Sequence, residues 1–252
     1  MNRRRLGLLA AALGLWACTR SAPDGEVTVA AAASLRAVLP ELARAYQATH
    51  PGAHLAATYG ASGDLKKQVE GGAPVDAVIF AAGRPVDELA AAGRVEATSR
   101  RVIASNALVL IGPRGGPSAT FATLAALPAG EHVAIGEPGA VPAGDYARAY
   151  LTTLRQWEAL QGRLVLGGNV SAVLAYVRRG EVAAAIVYRT EVRGVPEVVV
   201  LDEARGPGAP HPEVVAAVVS GARGAAGAGA FLQFVASDEG QRILGEHGFG
   251  PP

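Results

Sequence analysis

The chain has 252 residues, half of them hydrophobic, and carries 23 basic against 22 acidic side chains. That length supports one large domain or two lobes of modest size. Without Arg3, Arg4 and Arg5 the balance is 20 basic to 22 acidic, and no basic run remains, which argues against nucleic acid or an anionic membrane surface as a partner. Cys18 is the single cysteine, so an intrachain disulfide and a cysteine metal site are excluded.

The N-terminus reads as a targeting segment. Arg3-Arg4-Arg5 is a basic stretch, and Leu6 to Trp16 is an apolar run too short to span a bilayer. Residues 1–17 are therefore expected to be a signal peptide. Leu15-Trp16-Ala17-Cys18 resembles the bacterial lipobox, in which the cysteine becomes the lipidated first residue. Trp16 departs from the small residue usual there, which keeps an ordinary signal peptide cut near Ala17 as the alternative. Residues 18–25 then read as a lipid-anchor tether, and the folded part is expected to begin near Glu26.

From there the chain alternates strands and helices. Val27 to Ala31 is a short apolar strand, and Ser34 is a good N-cap for a helical pattern running to His50. Pro40 lies inside that pattern and must either kink the helix or begin its second part. His54 to Tyr59 reads as a strand. Gly60-Ala61-Ser62-Gly63 leads into a helix over 64–70 with Ser62 near its start, and Val75 to Phe80 is a buried strand followed by a helix that stops at Gly93. This β-α-β-α-β-α order predicts a parallel sheet.

Ser105-Asn106 is read as a crossing into a second lobe. There Ala107 to Ile111 predicts a strand, Thr120 to Leu127 a short helix, and His132 to Gly136 a strand. A loop rich in Pro and Gly precedes a helix over 146–160. Leu164 to Leu166 is extended, Asn169 is positioned to cap a helix over 170–179, and Ala183 to Val187 is a strand ending at Tyr188. Glu197 to Leu201 and Val214 to Ser220 are strands, the latter returning to the first lobe, and two helices close the chain. The expected lobes are residues 26–104 with 211–252, and residues 105–210.

The chemistry-bearing candidates are Ser34 and Ser62 at helix starts, the backbone amides of Ala143 and Val170 at two further starts, and the Tyr188 hydroxyl at a strand end. Each also has an ordinary reading. A serine there can be a plain cap worth about 1 kcal/mol, Ala143 and Val170 can be first-turn packing, and such a tyrosine can be half-buried filler. No Gly-x-Ser-x-Gly elbow, Walker A lysine loop or dinucleotide-binding glycine turn is present in context. Asp76, at the start of a buried strand, reads as a carboxylate that accepts hydrogen bonds from nearby backbone.

Six fragments carry a resemblance: Ala-Ala-Ala-Ser34-Leu, Gly-Ala-Ser62-Gly-Asp-Leu, Gly72-Ala-Pro-Val-Asp76, Val141-Pro-Ala143-Gly-Asp-Tyr146, Asn169-Val170 and Ile186-Val-Tyr188. In their order and spacing they resemble the periplasmic molybdate-binding proteins of ABC transporters, over nearly all of residues 26–252. The resemblance implies an α/β, type II periplasmic binding fold, with two lobes of mainly parallel sheet and a ligand cleft between them. It implies a molybdate or tungstate oxyanion held by the hydroxyls and amides of Ser34 and Ser62, the amides of Ala143 and Val170, and the hydroxyl of Tyr188. It further implies no cofactor, no enzymatic activity, no metal held directly by side chains, and a monomer that delivers its ligand to a membrane permease from the periplasm or the outer face of the cytoplasmic membrane. The alternatives are another oxyanion such as sulfate, ferric iron (disfavoured by the lack of a Tyr-Tyr pair), a secreted hydrolase using Ser62, and a receptor that docks on a membrane sensor.

Overall fold

The computed structural model describes residues 26–252. The signal peptide, Cys18 and the tether lie outside the described residues.

Two five-stranded sheets organise the chain. The first holds β1 (Glu26–Ala32), β2 (His54–Gly60), β3 (Ala77–Phe80), β4 (Arg101–Ser105) and β10 (Glu213–Val218) in the order β2-β1-β3-β10-β4. The second holds β5 (Leu108–Pro113), β6 (Val133–Gly136), β7 (Leu164–Gly167), β8 (Ala184–Tyr188) and β9 (Val198–Glu203) in the order β7-β6-β8-β5-β9. The two orders are equivalent. In each sheet the second, first and third strands of a βαβαβ unit pair in parallel, and one strand runs against the rest: β10 opposes β3 and β4, and β5 opposes β8 and β9. The mainly parallel expectation is met, and the reversed strands are the ones that follow the crossings between sheets. Ser105 still pairs in the first sheet, with Glu213 and Gly250, so the outward crossing is Asn106-Ala107.

The helices are α1 (Leu39–Thr49), α2 (Ser62–Glu70), α3 (Gly83–Ala91), α4 (Pro142–Thr153), α5 (Trp157–Leu160), α6 (Val170–Arg178), α7 (Ala225–Val235) and α8 (Asp238–Glu246). They cover both faces of each sheet, which is why the central strands are buried along their whole length. Ala30, Val78, Phe80 and Val215 pack in one cluster with Leu65 and Val69 of α2 and Val86 and Leu89 of α3. Val109, Ile111, Ala134 and Val187 pack in another with Val173 and Val177 of α6.

Several boundaries differ from the sequence reading for identifiable reasons. The helix expected from Ser34 begins only at Leu39, with Pro40 in its first turn. A proline inside an established helix removes one hydrogen bond and collides with the preceding turn, whereas in the first turn its missing N–H costs nothing. Ala33–Leu35 is instead a single 3-10 turn, and Ser34 makes no cap bond. Ser62 is likewise not the cap of α2, since Ala61 occupies that position. Strand β4 was not anticipated; it is short, partly exposed and starts at Arg101. The helix expected over 146–160 starts earlier, at Pro142, and breaks after Thr153, where Arg155 takes φ 57°. Over 120–127 only the 3-10 turn Leu124–Ala126 forms.

Asp76 takes the role its position suggested. Its two carboxylate oxygens accept the backbone N–H groups of Thr28 at 2.8 Å and Gly224 at 2.9 Å, tying the start of β1 to the loop before α7.

Candidate functional site

In open α/β sheets, ligands gather beyond the C-terminal ends of parallel strands, where helices begin. The two sheets point those ends at each other. Between them lies a cavity walled by Ala32, Ala33 and Ser34 after β1, by Gly60, Ala61 and Ser62 after β2, and by Ala81 after β3. The second lobe contributes Val141 and Pro142 at the start of α4, Asn169 and Val170 at the start of α6, and Tyr188 at the end of β8.

The structure thus brings Ser34, Ser62, Val170 and Tyr188 together. Ala143 is fully buried one residue behind Pro142 and is not itself on the wall. Its amide nonetheless leads the α4 terminus, because Pro142 has no N–H. The first turn of α4 is pressed onto the end of β6 through Gly144: a Cβ there would lie 1.9 Å from the carbonyl oxygen of Gly136. Only glycine permits that approach.

Two serine hydroxyls and a helix-start amide stand as free donors. Ser62 is 1% exposed, and its Oγ accepts the N–H of Ala81 at 3.2 Å, so its own hydroxyl proton is free to be given elsewhere. Ser34 is 6% exposed and, among the described residues, its Oγ is the one buried side-chain polar atom with no hydrogen-bond partner. Native structures rarely leave such a group unpaired unless it serves a function or a bound species. Asn169 caps α6 by accepting the N–H of Ala172 at 3.0 Å, which leaves the amide of Val170 at the head of the helix with no intrahelical acceptor. Tyr188 is 1% exposed, and burial pushes its phenol well above its ordinary pKa, so it stays protonated and a donor. Its hydroxyl donates across the cleft to the carbonyl of Ala81 at 3.1 Å. Tyr188 therefore closes the cleft as well as lining it, and its single proton, spent on Ala81 here, reaches an anion only when the hydroxyl turns away from that carbonyl. Ala81 is the residue that sequence reasoning missed. Its backbone serves both Ser62 and Tyr188, and an alanine after an apolar strand gives no signal of that.

The starts of α2, α4 and α6 all face this cavity, and each terminus carries a partial positive charge of roughly half a unit. No Asp, Glu, Lys, Arg or His lines the cavity among the described residues. Asp64 pairs with Lys67, and Asp145 with Arg84 and the N–H of Gly139. A neutral wall with free donors beneath converging helix starts fits an anion. The space is small, about 10 Å³, close to the least that a single water-sized body needs. With the lobes in this arrangement the cleft leaves room only for a very small ligand.

A larger groove of about 580 Å³ lies at the opposite end of the first sheet, around Asp76, Arg94 and Gly224. Its partly buried carboxylate is already committed to backbone N–H groups, and the groove carries the charged side chains of Arg94 and Arg223, unlike the neutral cleft. No group of His, Cys, Asp and Glu capable of holding a metal ion occurs among the described residues.

The family described as bacterial extracellular solute-binding protein matches residues 27–250. A Bacillus subtilis protein, YvgL, named as a candidate substrate-binding lipoprotein of an ABC transporter, is 32% identical over 91% of this chain and 90% of its own length. The molybdate-binding protein ModA of Haemophilus influenzae is 31% identical over 90% of this chain and 91% of its own. The solved structure of the periplasmic molybdate-binding protein of Azotobacter vinelandii superposes with a TM-score of 0.80 at 20% identity, covering 90% of this chain and 99% of that one. That last likeness speaks for the fold, the two-lobed binding fold with its cleft between sheets. The family match across almost the whole folded chain and the two full-length relatives place the protein in a class that binds solutes: it belongs to the bacterial extracellular solute-binding protein family.

Proposed function

We propose that this protein captures molybdate, and tungstate with it, outside the cytoplasmic membrane and delivers it to an ABC importer. The observation that carries this reading is the unpaired, buried hydroxyl of Ser34 in a small cavity with no charged side chain on its wall, beside the free hydroxyl proton of Ser62 and the helix-start amide of Val170. Molybdate is a dianion, fully deprotonated near neutral pH, so it only accepts hydrogen bonds. A protonated oxyanion would set its own proton against a donor, which is costly when buried. Charge-assisted hydrogen bonds of about 1.5–3 kcal/mol each replace the lost hydration without a lysine or arginine. Tetrahedral dianions share charge and shape, so selection against sulfate rests on size.

In this reading Ser34 and Ser62 hold the ion from one lobe, residues 26–104 with 211–252, extended by Ser105. The amides of Ala143 and Val170, with the Tyr188 hydroxyl once it turns from Ala81, hold it from the other, up to residue 210. Binding rather than hydrolysis follows from the surroundings of Ser62: a nucleophilic serine needs a base within reach, and the Ser62 hydroxyl oxygen is itself occupied by the Ala81 N–H. The protein acts as a monomer, tethered through a lipid on Cys18, and hands its ligand to the permease in the closed form.

Thermal unfolding with molybdate, tungstate, sulfate, phosphate and ferric citrate tests this. A ligand at a hundred times its dissociation constant stabilises by about 2.7 kcal/mol, a midpoint rise of roughly 5–11 °C for a chain of this size. A rise with molybdate and tungstate alone supports the reading. An equal rise with sulfate would keep the oxyanion site and overturn selection by size. No rise with any oxyanion would overturn the function.

A further inference from the structure

Three of the contacts that join the lobes lie around the cleft and its mouth. Tyr188 to Ala81 is the inner one. The outer two lie away from the cavity: the N–H of Gly63 donates to the carbonyl of Ala140 at 3.0 Å, and Arg84 faces Asp145 at 3.5 Å. Gly63, Ala140, Arg84 and Asp145 line a separate groove of about 220 Å³ at the mouth of the cleft, and none of them lines the cavity.

The Gly63 contact is backbone against backbone. A Cβ at position 63 would lie 2.7 Å from the oxygen of Ala140 and 3.0 Å from its Cα. No side-chain rotation relieves that overlap, because both atoms it meets are main chain. The Ala140 loop has little freedom to yield. Val141 N–H donates to Glu137 at 2.8 Å, and the N–H of Gly139, itself at φ +91°, donates to Asp145 Oδ1 at 2.8 Å. The remaining relief is to hold the lobes apart. Asp145 thus has two tasks: one oxygen shapes the loop that presents the Ala140 carbonyl, and the other faces Arg84 on the opposite lobe.

We propose that Gly63 is an affinity-determining residue that never touches the ligand. Its missing side chain lets the clasp to Ala140 shut, and the clasp, with Asp145 shaping one half of it, sets how slowly the bound anion leaves. This rests on the binding function proposed above. Gly63 is a positioning residue: it acts through the lobe geometry that brings Ser62 and Val170 to one ion.

The test uses sodium molybdate and the mature protein, wild type against Gly63→Ala. The expected result is a loss of affinity of at least about tenfold, carried by faster dissociation with little change in association. The ligand-free unfolding midpoint should stay within about 2 °C, since the first lobe alone has room for the methyl group. Gly71→Ala, at the other end of α2, where a Cβ meets nothing nearer than 3.4 Å, should leave affinity unchanged. Asp145→Asn keeps an acceptor for Gly139 and weakens only the exposed ion pair, so its effect should be small and vanish in salt. Asp145→Ala loses the loop bond too and should approach the Gly63→Ala phenotype. Unchanged molybdate dissociation in Gly63→Ala would overturn the proposal. A wild type that binds no oxyanion would instead refute the proposed function. The clasp would then be judged by solution X-ray scattering: a larger radius of gyration in Gly63→Ala than in wild type sustains it, and equal radii overturn it.

Discussion

The two serines of the cleft predict opposite signs of stability change when each is replaced by alanine. The Ser34 hydroxyl is buried and has no partner. A buried donor left unpaired costs about 1–3 kcal/mol. Ser34→Ala removes that liability at the expense of one small polar group, so the ligand-free protein should be as stable as wild type or up to about 1 kcal/mol more stable. Ser62 differs, because its Oγ accepts the Ala81 N–H. Ser62→Ala orphans that buried amide and should cost about 1–3 kcal/mol of ligand-free stability. Both variants lose a charge-assisted hydrogen bond to the anion, about 1.5–3 kcal/mol, or roughly 10- to 150-fold in affinity. Urea denaturation of the ligand-free proteins and titration calorimetry with molybdate read the two quantities separately. Ser34→Ala should therefore show affinity and stability moving in opposite directions, the mark of a group retained for binding. A Ser34→Ala protein that is clearly destabilised yet binds molybdate as wild type does would refute the reasoning and make Ser34 a packing residue.

Other outcomes follow from individual contacts. Tyr188→Phe removes the O–H···O=C bond to Ala81 and should weaken binding by about tenfold, within the range of one buried hydrogen bond; an unchanged dissociation rate for molybdate would count against a closing role. Asp76→Ala strands the N–H groups of Thr28 and Gly224 and should cost about 2–4 kcal/mol in urea denaturation, while the affinity of the folded fraction, measured by calorimetry, stays as in wild type. Glu191, hydrogen-bonded by Ser171 Oγ beside α6, is pushed up by burial from 4.5 to about 7. Its folded form binds a proton more tightly than its unfolded form, so its contribution to stability falls as pH rises from about 4.5 to 7 and is flat above. Glu191→Gln should remove that fall, about 1–3 kcal/mol after allowing for the side chain's partial exposure; parallel pH profiles for variant and wild type would contradict the assignment.

The alternation of strands and helices was legible in the sequence because the strands are short apolar runs bounded by glycine, and the helices carry their own punctuation. Asn169 caps α6 and Ser237 caps α8 as those residue types do. The two serines of the site were read as caps for the same reason, and there local logic failed. Pro40 cannot sit deep in a helix, so α1 starts five residues after Ser34, and the intervening turn leaves the hydroxyl unpaired. Strand β4 carried too weak a pattern to find, because it is held by pairing with β10, more than a hundred residues away.

By itself the sequence determined the alternation of strands and helices, apart from β4 and the starts of α1 and α4, and the neighbourhoods in which the chain passes between sheets. These are properties of neighbours along the chain, written in hydrophobic period, glycine and proline. It could not decide that the helix starts converge, because convergence depends on how two separately built sheets face each other. Nor could it decide which donors remain free. Whether a polar group at a helix start is spent on its own backbone or left for other use is settled by distant atoms: the N–H of Ala81, 19 residues beyond Ser62, meets its hydroxyl oxygen, and the carbonyl of Ala140, 77 residues beyond Gly63, takes its amide. The cavity, its neutral wall and the clasp at its mouth exist only once those distant groups are brought within hydrogen-bonding distance.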